Sequence, residues 1–160
     1  MLGAGVATAS TFVEYPARMS KNLSVQDLRW HDLSGRDLKG ARATRANLAG
    51  AILYRTRLAN ARLVKANLVG AYLVEARFAS ANACCAILTG ANLSGARLRK
   101  ARLARADLRC ANLAKADLSG ADLRGAKLDG ATLDGARLKG AKGVRAIRKA
   151  RRSRHKQGRT

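Results

Sequence analysis

The chain has 160 residues, enough for one domain, and a formal net charge of +22 from 32 Lys and Arg against 10 Asp and Glu. Apolar residues make up 48% of it but aromatics only 4%, so the interior is filled by Ala and Leu used repeatedly. Three cysteines, two of them adjacent, do not make a disulfide framework and fit a reducing, cytoplasmic setting, and no apolar run approaches the ~20 residues that span a bilayer.

Residues 1–20 come first. The stretch MLGAGVATAS is mildly apolar without a basic start, and it reads poorly as a signal peptide. Phe12, Val13, Tyr15 and Pro16 then predict a capping segment over the end of the array that follows.

From residue 21 the chain repeats every five residues. Of 24 unit centres from Leu23 to Leu138, 21 are Leu; the exceptions are Ala43, Phe78 and Ala83. The position two before the centre is Ala in 20 of 21 units from Ala41 to Ala141, with Thr56 the exception. The position two after the centre holds 11 of the chain's 15 glycines. Residues two apart point the same way in an extended chain, so Ala and Leu face inward together. A helix cannot carry this pattern, since at ~100° per residue a five-residue period winds around every side. A coil that turns a corner every five residues can, and Gly after the centre suits a turn needing positive φ.

Units such as ANLAG (46–50), ANLVG (66–70), ADLSG (116–120) and ADLRG (121–125) resemble those of the pentapeptide-repeat proteins. The resemblance covers residues 21 to about 145. It implies an all-β fold, a right-handed quadrilateral parallel β-helix with four units per coil and about six coils. The expected organisation is a cap over 1–20, a β-helix over 21–145 and a basic tail over 146–160.

The first four units keep the Leu but place Lys21, Gln26, His31 and Arg36 where Ala belongs, as expected of an outermost coil whose rim reaches solvent. At the other end the pattern fades through Gly143, Val144 and Ile147 into a tail with Arg148, Lys149, Arg151, Arg152 and Arg154. Such arms bind nucleic acid or serve as solvated solubility tails.

Four units per coil sort the outward charges onto four faces. The first (centres 23, 43, 63 and onward) carries Arg42, Arg45, Arg62, Lys65, Arg102 and Arg105 and totals +8. The second is neutral and the third is −1. The fourth carries Arg57, Arg77, Arg97, Arg99, Lys100, Arg137 and Lys139 and totals +6. The first and fourth faces adjoin, so the charge gathers along one edge. Arg57, Arg77 and Arg97 stack one coil apart, at about 4.8 Å, with no acid expected to relieve them. A bound polyanion relieves such a column; side chains splayed into screened water are the alternative.

No phosphate loop, metal-binding motif or catalytic triad can be assembled, so neither catalysis nor a cofactor or metal is expected. Cys84 and Cys85 lie on the basic first face, where a redox role competes with an incidental surface pair. The residues point to a binding module for nucleic acid or another polyanion, with the Arg and Lys residues named on the first and fourth faces and in the tail as its contacts. The resemblance adds a second reading. Some members of that family mimic duplex DNA and protect gyrase, a topoisomerase, by occupying its DNA site, which requires an acidic surface. A third reading is an assembly subunit docking on RNA or an acidic protein. Family members pair through a C-terminal cap; here that end is cationic, and a monomer away from membranes is expected.

Overall fold

Each five-residue unit lays down one short side of a coil. In the computed structural model, which describes residues 21–143, parallel bridges join each residue before a centre to the one twenty positions on, from Asn22↔Arg42 to Asp122↔Lys142. Four bridge columns therefore run along four faces. Every bridge is isolated, and no longer strand forms among the described residues. The reason is local: the two residues after each centre are spent on a turn.

That turn is closed by the centre's carbonyl. Ala71 N–H donates to Leu68 O at 3.1 Å, and Ala121 N–H to Leu118 O at 2.9 Å. The third turn residue is left-handed throughout, and the second has no positive φ, which is type II geometry. Gly occupies many of these corners, but non-glycine residues from Val25 to Lys115 hold φ between 53° and 62°. One of them, Trp30, lays its ring over Gly50 of the next coil, where any side chain would collide with the indole. Gly143, the last described residue, stands at a centre position, and a Cβ there would lie 2.5 Å from the Leu123 carbonyl oxygen.

Between coils the ladder is regular. Leu68 N–H donates to Ile87 O at 2.7 Å, and Ile87 N–H donates back to Ala66 O at 2.9 Å. Inside lie the predicted Leu and Ala columns, nearly all fully buried, with Phe78 and Ala83 among them. Among the described residues Thr56 is the one buried polar residue, and its hydroxyl donates to Leu33 O at 2.8 Å. A threonine in an alanine column is tolerated because a carbonyl stands within its reach.

The outward positions differ from expectation in one respect. The residue just after the centre, expected to face out, is half-buried in most units. It begins the turn and is held between neighbouring coils. At the N-terminal rim Lys21 and Gln26 are exposed, while His31 and Arg36 are half-buried. The cap over 1–20 and the tail over 146–160 lie outside the described residues.

Candidate functional site: a basic edge

The residue before each centre is the key to the surface. Wherever it is Asp or Asn, its side-chain oxygen accepts the backbone N–H two residues on. Examples are Ser34 N–H to Asp32 at 2.9 Å, Ala114 N–H to Asn112 at 3.0 Å and Ser119 N–H to Asp117 at 3.0 Å. The bond satisfies an amide that the turn leaves unused, which is why short acceptors suit this position. Asn67 adds a rung by donating to Asn47 at 3.1 Å.

Arginine cannot accept that bond. Yet in this column Arg42, Arg62 and Arg102 stand on the first face, and Arg57, Arg77, Arg97 and Arg137 on the fourth. No Arg takes this position on the second and third faces among the described residues. Left-handed corners carry basic residues after several faces, Arg45, Lys65 and Arg105 after the first, Arg55 and Lys115 after the third and Lys100 after the fourth, at about 1–2 kcal/mol each. The turn-acceptor preference is the one that yields to arginine on the first and fourth faces alone.

Ion pairs stand on all four faces, but no arginine of the bridge column is in one with another described residue. On the second face Arg29 pairs with Asp27 at 2.7 Å and Arg109 with Asp107 at 2.6 Å; on the third Arg55 pairs with Glu75 at 2.7 Å. The Asp-Leu-Arg spelling explains three such pairs, because the Arg curls back onto the Asp two before it, as Arg124 does onto Asp122 at 2.7 Å. Along the basic edge Arg42, Arg45, Arg57, Arg62, Lys65, Arg77, Arg97, Lys100, Arg102, Arg105 and Lys139 are exposed, and none is in an ion pair with another described residue. Arg99 reaches Asp117 loosely at 3.9 Å, and the Asp117 carboxylate also feels Arg137.

One expectation is corrected. The arginine column does contain acids: Asp37 bridges to Arg57, and Asp117 bridges to Arg97 on one side and Arg137 on the other. They flank the run and leave Arg77 between two arginines. Arg148, Lys149, Arg151, Arg152 and Arg154 lie outside the described residues. Two contributors were missed in the sequence: Ser119 and Gly120, the small pair between the basic units RLRK (97–100) and RLKG (137–140). Their spelling is visible, but its meaning appears only once units twenty apart are stacked.

The opposite edge, shared by the second and third faces, is different in kind. Trp30, Val69, Tyr72 and Ile87 are exposed there, and the Tyr54 and Tyr72 rings lie 6.4 Å apart. The Arg55 guanidinium sits 4.8 Å from the Tyr54 ring centroid. Where Asp or Asn is replaced in this region, Ile52, Tyr72 and Ile87 are among the replacements. Cys84 and Cys85 are half-buried, Cys110 is exposed, and all three are free. Among the described residues no group of side chains could hold a metal, and no helix is long and apolar enough to cross a membrane.

Acid sensitivity follows from the Asp-Leu-Arg pairs. Hydrogen bonds from Arg109 and Arg124 hold the carboxyls of Asp107 and Asp122 down to about 2. A depressed carboxyl adds stability that is full above its unfolded pKa near 4 and is lost as pH falls toward 2. After solvent screening the loss is on the order of 1 kcal/mol per pair. Asp107→Asn with Asp122→Asn keeps the turn acceptor but removes the titration. The melting temperature of that variant should fall less than wild type between pH 4 and pH 2; identical falls would show that the pairs contribute nothing.

The family of pentapeptide repeats matches in eight copies, over residues 27–63, 51–84, 86–125 and 106–142, well over half of the chain. HetL from the cyanobacterium Nostoc sp. strain PCC 7120, a pentapeptide-repeat protein involved in heterocyst differentiation regulation, is 33% identical, with 76% of this chain and 69% of that one covered and a TM-score of 0.38. Rfr23 from the cyanobacterium Cyanothece 51142 is 30% identical, covering 76% and 86%, with a TM-score of 0.38. QnrB1, a plasmid-mediated fluoroquinolone resistance protein, is 24% identical, covering 79% and 82%, with a TM-score of 0.31. No curated protein sequence matches the chain. The chain belongs to the pentapeptide-repeat family, whose fold is the right-handed quadrilateral β-helix.

Proposed function

We propose that the chain is a non-catalytic binding protein whose basic edge, extended by the tail, holds nucleic acid or another polyanion. The observation that carries this reading is the replacement of Asp and Asn by unpaired arginine on the first and fourth faces alone. Each such Arg forgoes a local hydrogen bond and adds repulsion to a chain already at +22. Sequences break local rules at functional sites. The reading includes a rod of about six coils, in keeping with the constant offset of twenty between Asn22 and Lys142. It also includes a monomer in a reducing, cytoplasmic setting, in keeping with the three free cysteines.

A topoisomerase partner is the second reading. It rests on the family and on the fluoroquinolone resistance of QnrB1. Occupying a DNA site by mimicry needs negative charge, and here two adjoining faces total +14. The sign favours binding the polyanion itself over imitating it.

The test is a salt titration of binding to duplex DNA, single-stranded RNA and heparin, beside a gyrase supercoiling assay. Neutralising phosphates releases counterions, so the affinity for duplex DNA should fall with a log–log slope of about −0.9 per contact. Duplex DNA offers no grip on sequence here, since a flat face does not enter the major groove as a helix does. Salt-independent binding, or gyrase inhibition without any polyanion binding, would overturn the proposal.

A further inference from the structure

The basic edge is not uniform along the rod. On the fourth face, near the C-terminal end, it opens into a cleft of about 720 Å³. Arg99 and Lys100 stand on one rim, Arg137 and Lys139 on the other, and Ser119 with Gly120 forms the floor. The cleft exists because a unit with short side chains is stacked between two units with long ones. Hydrogen bonds fix that order: Lys100 N–H to Ser119 O at 2.9 Å, and Gly120 N–H to Lys139 O at 2.9 Å. The rims are two coils apart, roughly 10 Å, a gap that Arg and Lys side chains close from both sides.

Backbone amides on the floor are already committed. Ser119 N–H donates to Asp117, and Gly120 N–H to the next coil. Any anion must therefore be held by the four rim cations, with the Ser119 side chain beside it. Asp117 is the single acid in the cleft. Hydrogen bonds from the Ser119 side chain and backbone keep its carboxyl below the usual range, and Arg99 draws on its charge. Four cations against one engaged carboxylate leave a strongly positive recess, larger than the recess of about 260 Å³ that Arg77 and Arg97 share with Arg55 and Glu75 further along the rod.

We propose that this cleft is a discrete phosphoryl site that seats adjacent phosphates of a bound strand. The proposal rests on the polyanion reading and deepens it. Side chains from both rims meet phosphate oxygens through charge-assisted hydrogen bonds, which are the strong ones. The same chemistry fits a free polyphosphate, so the test carries both probes.

Ser119→Tyr fills the floor without changing any charge. The fold tolerates it, because Tyr54, Arg99 and Lys139 occupy the same turn position in other units. Ser94→Tyr is the control: its N–H makes the same bond, to Asn92 at 3.1 Å, on the third face. Binding of tripolyphosphate and of a short oligothymidylate is measured for full-length wild type and both variants. Ser119→Tyr should weaken both ligands about tenfold, and Ser94→Tyr neither. If Ser119→Tyr melts below wild type, Arg99→Gln with Lys139→Gln is compared with Arg42→Gln and Arg102→Gln, an equal change of charge; the first pair should lose more tripolyphosphate binding.

Unchanged tripolyphosphate binding in Ser119→Tyr, or equal losses from the two pairs, overturns the cleft. Oligothymidylate binding without tripolyphosphate binding overturns the cleft and leaves the basic edge standing. The converse, with the loss in Ser119→Tyr, supports the phosphoryl site but overturns its seating of a strand. Absence of both overturns the cleft, and the edge is then decided by duplex DNA, single-stranded RNA and heparin.

Discussion

Leu68→Lys is expected to abolish the fold. Leu68 is fully buried, and its backbone is tied on both sides, its N–H to Ile87 O and its carbonyl to Ala71 N–H. The columns around it are Leu and Ala, and the nearest precedent for a buried polar group, Thr56, needs a carbonyl of its own. An ammonium placed there has no anionic partner. Burying an unpaired charge costs several kcal/mol even after relaxation, comparable to the whole stability of a domain. Wild type should give a β far-UV circular dichroism spectrum and a cooperative melt, and the variant neither. Leu68→Met, close in volume, should cost under about 1.5 kcal/mol. Each coil contacts only its neighbours, so Leu133→Lys, near the C-terminal end and 6% exposed, should cost less than the mid-rod change. A Leu68→Lys protein that melts with wild type would contradict the packed interior.

Much of this fold was legible because the repeat says one thing more than twenty times. The Leu and Ala columns and the Gly at the corners follow from five-residue spacing, the period of twenty is what the family resemblance implies, and the structure places them accordingly. The basic edge was legible for the same reason: once units are dealt onto four faces, Arg57, Arg77 and Arg97 must stack. Pairing was not legible. The Asp-Leu-Arg spelling hides a hydrogen-bonded loop within one unit, and Arg55 meets Glu75 only because twenty residues equal one coil. The Asp residues flanking the arginine column were counted in a face total and not placed in the column. The cleft was invisible because it is made of absences, short side chains between long ones on a neighbouring coil. Position-specific charge is read well from a repeat; the space between side chains is not.

Replacing Arg57, Arg62, Arg77 and Arg97 with Gln should weaken polyanion binding more than replacing Arg55, Arg109, Lys115 and Lys127. Both sets remove four positive charges from the same rod, so attraction to net charge alone predicts equal losses. The sets differ in place and in pairing. All four of the first set are exposed on the basic edge and none is in an ion pair with a described residue, whereas Arg55 and Arg109 of the second are already held by Glu75 and Asp107. Gln keeps most of each side chain's length and is compatible with an exposed position. For duplex DNA each lost phosphate contact flattens the log–log salt slope by about 0.9, so four contacts should flatten it by roughly 3 to 4. The loss of affinity at low salt should be at least about tenfold for the first set and small for the second. Deleting residues 148–160 should add to the loss while the melt stays unchanged, since the repeats end before that segment. Equal slopes and equal affinities for the two sets would mean that the charge acts as a diffuse property of the surface, and the edge would then have no claim to be a site.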